Sequence, residues 1–217
     1  MVFVLKLICT ALIGYLLGNV SCGIMMARLF GHIDIREHGS GNAGTTNVLR
    51  TLGWLPSILT LIGDALKALI ASWLGWLIAG DAGLLLGGFC AVAGHNWPFF
   101  LGFRGGKGIA PSLGMIIAIN PLLAVCLVII EVVVVAVTGY MSVASLVNVI
   151  AYPILTVIFL HGRENFPLFL LFSLMASAMA AYAHRANIQR LFHGEENKLD
   201  FQKIKFLSKI QQRRKKG

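Results

Sequence analysis

The sequence predicts an all-α integral membrane protein with about seven transmembrane helices, two of them short. Three observations carry that prediction. Of 217 residues, 57% are hydrophobic before the 24 glycines are counted, and 12% are charged. Mean hydropathy is +0.80. Apolar runs long enough to cross a bilayer recur along the chain. An average soluble domain is about half apolar with glycine included and about a quarter charged. Its polar residues could not cover an apolar surface of this extent, so a soluble globular enzyme is excluded, as is a disordered or collagenous chain.

A membrane-spanning helix needs roughly 20 apolar residues. Residues 3–27 qualify, with Lys6 near the end of the run, where it can snorkel. That run is too long for a signal-peptide core and no small-residue cleavage site follows, so it reads as a retained helix. Residues 51–79 also qualify and contain Asp64 and Lys67, spaced i,i+3 on one face and able to neutralise each other. Residues 122–138, 142–160 and 166–183 are three more; Glu131 interrupts the first and is expected to face the bundle or another polar group. Residues 82–94 and 108–119 are shorter, and Asn120-Pro121 ends the latter. Twelve helical residues reach only about 18 Å against about 30 Å of hydrocarbon. A polar loop between two such helices would sit below the membrane surface, enclosed by protein or lining a cavity. The four cysteines, Cys9, Cys22, Cys90 and Cys126, fall in apolar runs and read as core residues.

Three polar stretches stand out, 31–50, 94–107 and 184–217. Two segments separate the first from the second and four the second from the third, so all three share one side. That side holds Arg28, Arg36, Arg50, Arg104, Lys107 and the ten basic residues among the last 33, whereas Arg163 alone lies opposite. The positive-inside rule then puts the N-terminus in the periplasm and the C-terminus in the cytoplasm, with 198–217 as a basic cytoplasmic tail on a single polytopic domain of residues 1–217. The net charge of +9 reflects that tail and calls for anionic lipid rather than nucleic acid.

The chemistry-bearing residues lie in the same stretches. Gly39-Ser40-Gly41-Asn42-Ala43-Gly44-Thr45-Thr46-Asn47-Val48-Leu49-Arg50 alternates glycine with small donors, which suits an anion nest, and ends on a guanidinium fork; read alone it is equally a flexible loop or a helix cap. His95, Trp97 and Phe99 precede Arg104-Gly105-Gly106-Lys107-Gly108, which opens a helix, a favourable phosphate site. The aromatics fit an interfacial belt. His184 and Asn187 share one face where the last membrane helix continues. There is no Gly-x-Ser-x-Gly elbow, no histidine followed five positions on by aspartate, no acidic magnesium motif and no zinc spacing. What remains is cationic and neutral donors on glycine-rich backbone, equipment for phosphate monoesters without a metal.

In order and spacing, Gly39–Arg50, Gly94–Ser112 and His184–Lys198 resemble the three cytoplasmic motifs of the bacterial acyl-phosphate:glycerol-3-phosphate acyltransferases (the PlsY type), and Gly63, Asp64 and Lys67 match a further part of the pattern. Ala43, Thr45 and Pro111 depart from it without removing a charged group. The resemblance implies a seven-helix inner-membrane protein that transfers an acyl chain from acyl phosphate to the sn-1 hydroxyl of glycerol 3-phosphate, giving lysophosphatidic acid and phosphate, the first acylation of phospholipid synthesis. It implies no cofactor or metal, and acyl phosphate, glycerol 3-phosphate and membrane lipid as partners. Ser40, Lys107 and His184 fall on catalytic positions. Gly41, Asn42, Gly44, Thr46, Asn47, Arg50, His95, Arg104, Gly105, Gly106 and Asn187 fall on substrate-binding ones. The proton acceptor, His184 or the substrate phosphate, stays open, as does His95 between phosphate ligand and structural donor. The competing expectation is a membrane transporter for an organic phosphate, which would show internal symmetry between halves; none is visible.

Overall fold

The computed structural model describes residues 1–200, 202 and 204; most of the expected basic tail at 198–217 lies outside the described residues. All regular structure among the described residues is helical. In chain order it comprises α1 (Val2–Gly18), α2 (Cys22–Gly31), α3 (Thr45–Leu52), α4 (Trp54–Asn96), α5 (Ile109–Ile119), α6 (Pro121–Thr138), α7 (Met141–Leu160), α8 (Phe166–Ala183) and α9 (Arg185–Phe192). Five helical segments are long and apolar enough to cross a membrane: Val2–Gly31, Trp54–Leu101, Pro121–Thr138, Met141–Leu160 and Phe166–Ala183. Their outer faces carry Leu5, Trp73, Val132 and Ile150, each more than half exposed, as expected where the surrounding solvent is lipid.

One apolar run is built differently from the simplest reading of the sequence. The run 3–27 is not one helix: it breaks at 19–21, where Asn19 Nδ2 donates to Tyr15 O at 2.7 Å and Ser21 Oγ caps α2 by accepting from Ile24 N. The runs 51–79 and 82–94 are two arms of α4, which folds back at Ala79 and Gly80. Gly80 takes φ +61, a left-handed turn that glycine enters without steric cost.

Small residues let these pieces close on one another. A Cβ on Gly75 would stand 2.0 Å from Gly83 O across the two α4 arms, and a Cβ on Gly14 would stand 2.4 Å from Gly87 O, where α1 lies on the second arm. Apolar surface gains little by leaving one apolar medium for another, so helices in lipid adhere through such close contact. Helix α5 is seated the same way: a Cβ on Gly114 would lie 1.9 Å from Ala65 O, which is backbone and cannot swing aside. Gly114→Ala is therefore expected to push α5 off α4 at a cost of about 1–3 kcal/mol, read as a lowered thermal midpoint in detergent.

Two apolar clusters position the loops. Leu85, Met115, Ile119, Leu123 and Phe169 join the second α4 arm to α5, α6 and α8. Ile24, Ala27, Ile35, Ala43 and Val48 form a smaller core directly under the first glycine-rich loop. Beside it Lys67 Nζ lies 2.8 Å from Asp64 Oδ1, the ion pair expected from their spacing. The ammonium also donates to Gly18 O and Val20 O, so it closes the α1–α2 break from inside the bundle.

Candidate functional site

The first loop is tied by one side chain. Asn47, 1% exposed, accepts from Ser40 N through Oδ1 at 2.9 Å. Through Nδ2 it reaches His38 O at 2.8 Å, Asn42 O at 2.9 Å and Ile35 O at 3.1 Å. Gly39 and Gly41 have φ +61 and +70 and make the turns that bring these carbonyls to one amide. Asn42 Oδ1 accepts from Gly44 N, and its Nδ2 reaches Gly105 O in the second loop. Arg36, held by Asp34 at 2.7 Å, also donates to Leu101 O, so two links fasten the loops together. That bidentate pair and the Arg36 N–H hold the Asp34 carboxyl down at about 2.

The second loop doubles back over the end of α4. A Cβ on Gly106 would fall 1.9 Å from His95 Nε2, and one on Gly105 at 1.9 Å from His95 O. These glycines thus give the loop close approach to His95, a packing reason the sequence reading did not include. His95 Nδ1 is 2.9 Å from Lys67 Nζ. Nδ1 also lies 3.5 Å from Asp64 Oδ1, so the ring rests against both members of the ion pair, with Nε2 facing Gly106.

The third stretch completes the wall. His184 Nδ1 is 2.8 Å from Ala180 O, and a carbonyl cannot donate, so Nδ1 carries the proton and Nε2 is left as an acceptor. Lys107 Nζ donates to Asn187 Oδ1. The amide orientation is forced, because Asn187 Nδ2 faces Glu196 Oε1 at 2.9 Å, and a carboxylate accepts. Glu196 also receives Ser142 Oγ at 3.1 Å and Arg190 Nε at 2.8 Å. Of the neighbouring arginines 185 and 190, Arg190 is the one that meets Glu196, while the bonds to Asn187 and Ser142 carry no local sequence signal.

These groups enclose one cavity of about 370 Å³. Of the expected site residues, Ser40, Asn42, Gly44, Thr46, Asn47 and Arg50 line it from the first loop and α3. His95 and Lys107 line it from the second stretch, His184 and Asn187 from the third. Gly41, Arg104, Gly105 and Gly106 do not line it; Arg104 is exposed. Asp64, Ser142 and Glu131 line it without having been singled out for the site. Toward the loops the wall is cationic; between α5, α6, α7 and α8 it becomes mostly apolar, with Leu113, Ile116 and Val149.

Burial sets the charges. It pushes Lys107 down to about 8, with the Arg190 and Arg50 cations adding to the effect and Glu196 opposing it. Arg50 is also lowered, by burial first, with Arg190 adding and Glu196 opposing. Its Nη2 donates to Asn197 O at 2.8 Å, but its buried Nε has no partner in the protein. His184 is lowered to about 4 by burial, against its bond to Ala180 O and with Lys107 nearby, so it is neutral at pH 7.

A cationic opening on an apolar cleft, inside a lipid-facing helical bundle, defines an integral membrane protein with a cavity suited to an amphiphile with an anionic head. The comparisons with known proteins fall in line with that. The chain belongs to the glycerol-3-phosphate acyltransferase family, whose profile matches residues 8–194. It is 41% identical over 190 residues to the glycerol-3-phosphate acyltransferase of Thermoanaerobacter sp. (strain X514), covering 88% of this chain and 94% of that one. It is 43% identical over 195 residues to that of Clostridioides difficile (strain 630), covering 87% and 93%. The crystal structure of PlsY, an integral membrane glycerol 3-phosphate acyltransferase, in its glycerol 3-phosphate form superposes with a TM-score of 0.83 at 32% identity, covering 92% of this chain and 98% of that one. The lysophosphatidic acid form gives 0.80. The chain is thus an integral membrane acyltransferase of phospholipid synthesis.

Proposed function

We propose that this protein transfers an acyl chain from acyl phosphate to the sn-1 hydroxyl of glycerol 3-phosphate, releasing lysophosphatidic acid and phosphate. The observation that carries the reading is the single cavity that joins Ser40, Arg50, Lys107, His184 and Asn187 to an apolar cleft. Both substrates bring a phosphate dianion, and the acyl donor also brings a hydrocarbon chain. Arg50 and Lys107 hold the phosphates, with the backbone N–H groups after Gly44 as further donors. Ser40 and Asn187 orient the glycerol. Thr46 and Asn42 border the phosphate end, while Asn47, Gly41, Gly105 and Gly106 keep the loops in shape. Exposed Arg104 draws dianions toward the opening, and the His95 ring borders the cavity beside the second loop.

The glycerol oxygen attacks the carbonyl carbon of the mixed anhydride, the carbon–oxygen bond to phosphate breaks, and the hydroxyl proton ends on the departing phosphate. Lys107 stabilises the charge gathering on the oxyanion and leaving group. With His184 lowered to about 4 by burial, its Nε2 is a weak proton sink and serves better as the acceptor that aligns the hydroxyl, which favours the substrate phosphate as the final base. No covalent acyl-enzyme forms. None of the four cysteines lines the cavity. Replacing Cys9, Cys22, Cys90 and Cys126 by alanine together should leave turnover of the folded protein unchanged; its loss would reopen a covalent route.

The five long spans, the fold-back of α4 and the short α5 support a reading of seven crossings. The basic residues near the loops support a cavity opening at the cytoplasmic face of a bacterial inner membrane, with the N-terminus in the periplasm. The test is direct. Purified protein given acyl phosphate and labelled glycerol 3-phosphate, with chelator and without ATP or CoA, is expected to make lysophosphatidic acid. Uptake of label into vesicles without product would replace this reading with a transporter.

A further inference from the structure

Below its cationic end the cavity is not uniformly apolar. On α6, Glu131 Oε2 accepts from Asn148 Nδ2 at 2.7 Å and Oε1 from Ser145 Oγ at 3.1 Å, both from α7. All three line the cavity, as does Ser177 of α8. Asn148 Oδ1 and Ser177 Oγ are buried and have no partner in the protein.

Helical rise puts these groups at one depth. Ser142 marks the phosphate end on α7, because its Oγ bonds the Glu196 carboxylate that also holds Asn187 beside Lys107. Asn148 follows Ser142 by six residues, about 9 Å along the axis. On α8, Ser177 precedes His184 by seven residues, about 10 Å. On α6, Glu131 precedes Thr138 by seven, again about 10 Å. The next residue, Gly139, holds Leu199 N through its carbonyl, so the α6 end too is at the loop level. Three helices therefore each present a polar group at the same level in an otherwise apolar cleft.

A methylene chain that reaches that level meets the half-buried Glu131 carboxyl and Asn148 amide in place of hydrocarbon, and covering them from the solvent they keep costs free energy that hydrocarbon contact does not return. We propose that Glu131, Asn148 and Ser145, with Ser177 beside them, form a polar floor that limits the length of acyl chain the cavity accepts. The inference rests on the acyl-phosphate reading above and adds a specificity determinant to it.

The experiment compares kcat/KM for a series of acyl phosphates of increasing chain length in the wild type, in Glu131→Leu combined with Asn148→Leu, and in Ser177→Ala, the mildest change should the double variant fold poorly. Removing the floor is expected to raise the long-to-short ratio by about fourfold for each methylene newly accommodated, with KM for glycerol 3-phosphate unchanged. A cluster that only joined α6 to α7 would alter the melting midpoint and leave that ratio alone, which overturns the proposal. A wild type inert toward every acyl phosphate would overturn the donor assignment and the floor with it; normal turnover with an unchanged chain-length profile overturns the floor alone.

Discussion

Lys107→Ala is expected to cut turnover by about 10²–10³-fold, the effect of removing one donor aimed at developing negative charge, while the protein stays folded. The second expectation follows from its surroundings. Among the described residues the Lys107 ammonium has one hydrogen-bond partner, Asn187 Oδ1, and it stands near two other cations, Arg50 and Arg190. Truncation leaves one amide oxygen unpaired but also removes like-charge repulsion, so the net cost to stability is small. Charge gives a second readout. Burial lowers Lys107 to about 8, so the ammonium is present below that pH and is lost as the pH rises through it. Wild-type turnover should fall along that alkaline limb. Lys107→Arg, whose guanidinium stays protonated, should retain part of the activity without the limb. Product formation from labelled glycerol 3-phosphate against pH, beside a thermal melt of each variant, checks all three statements; wild-type turnover by the alanine variant would remove Lys107 from the chemistry.

How much of this could be read in the chain depends on whether a feature is local. The apolar runs after residue 50, the first two polar stretches, the described start of the third and the pairing of Asp64 with Lys67 are local or helical in period, and the structure has them where the sequence puts them. The helix break at 19–21 was hidden because apolar residues continue on both sides, and the signal was only Asn19 and Ser21, weak caps in any longer run. In sequence the glycines around Lys107 read as part of a phosphate site at a helix start. In the structure Gly105 and Gly106 press on the His95 backbone and ring, a contact made by the loop returning over α4 and visible only once the chain is folded. Glu131 was readable as facing a polar group, because an intramembrane carboxyl needs one; that Ser145 and Asn148 supply it depends on how α6 and α7 rotate against each other.

Glu196→Ala tests the least local part of the site, and its effect should approach that of Lys107→Ala without touching a residue assigned to substrate. The Glu196 side chain is 2% exposed and accepts from Asn187, Ser142 and Arg190. Burial by itself would raise its carboxyl, but those three hydrogen bonds and the Arg190 charge outweigh it, so the group is held below the ordinary carboxylate range and stays ionised. Removing it strands Asn187 Nδ2 and Ser142 Oγ and leaves three cations facing one another without a counter-charge. The stability cost should be about 3 kcal/mol, toward the low side for a broken buried pair because Arg190 is partly exposed. Asn187 would then turn freely and Lys107 lose its alignment, lowering turnover by about 10²-fold. Glu196→Gln keeps an acceptor for Asn187 and Ser142 but loses the charge, and should fall between. A depressed carboxyl contributes stability that is complete above the unfolded value, about 4.3, and is lost as the pH falls through the folded one. The gap in melting midpoint between wild type and Glu196→Gln should therefore be widest near neutrality and close in acid. A gap that persists unchanged at low pH, or an alanine variant with undiminished turnover, would show that the carboxylate neither braces Asn187 nor balances the cations at the cavity opening.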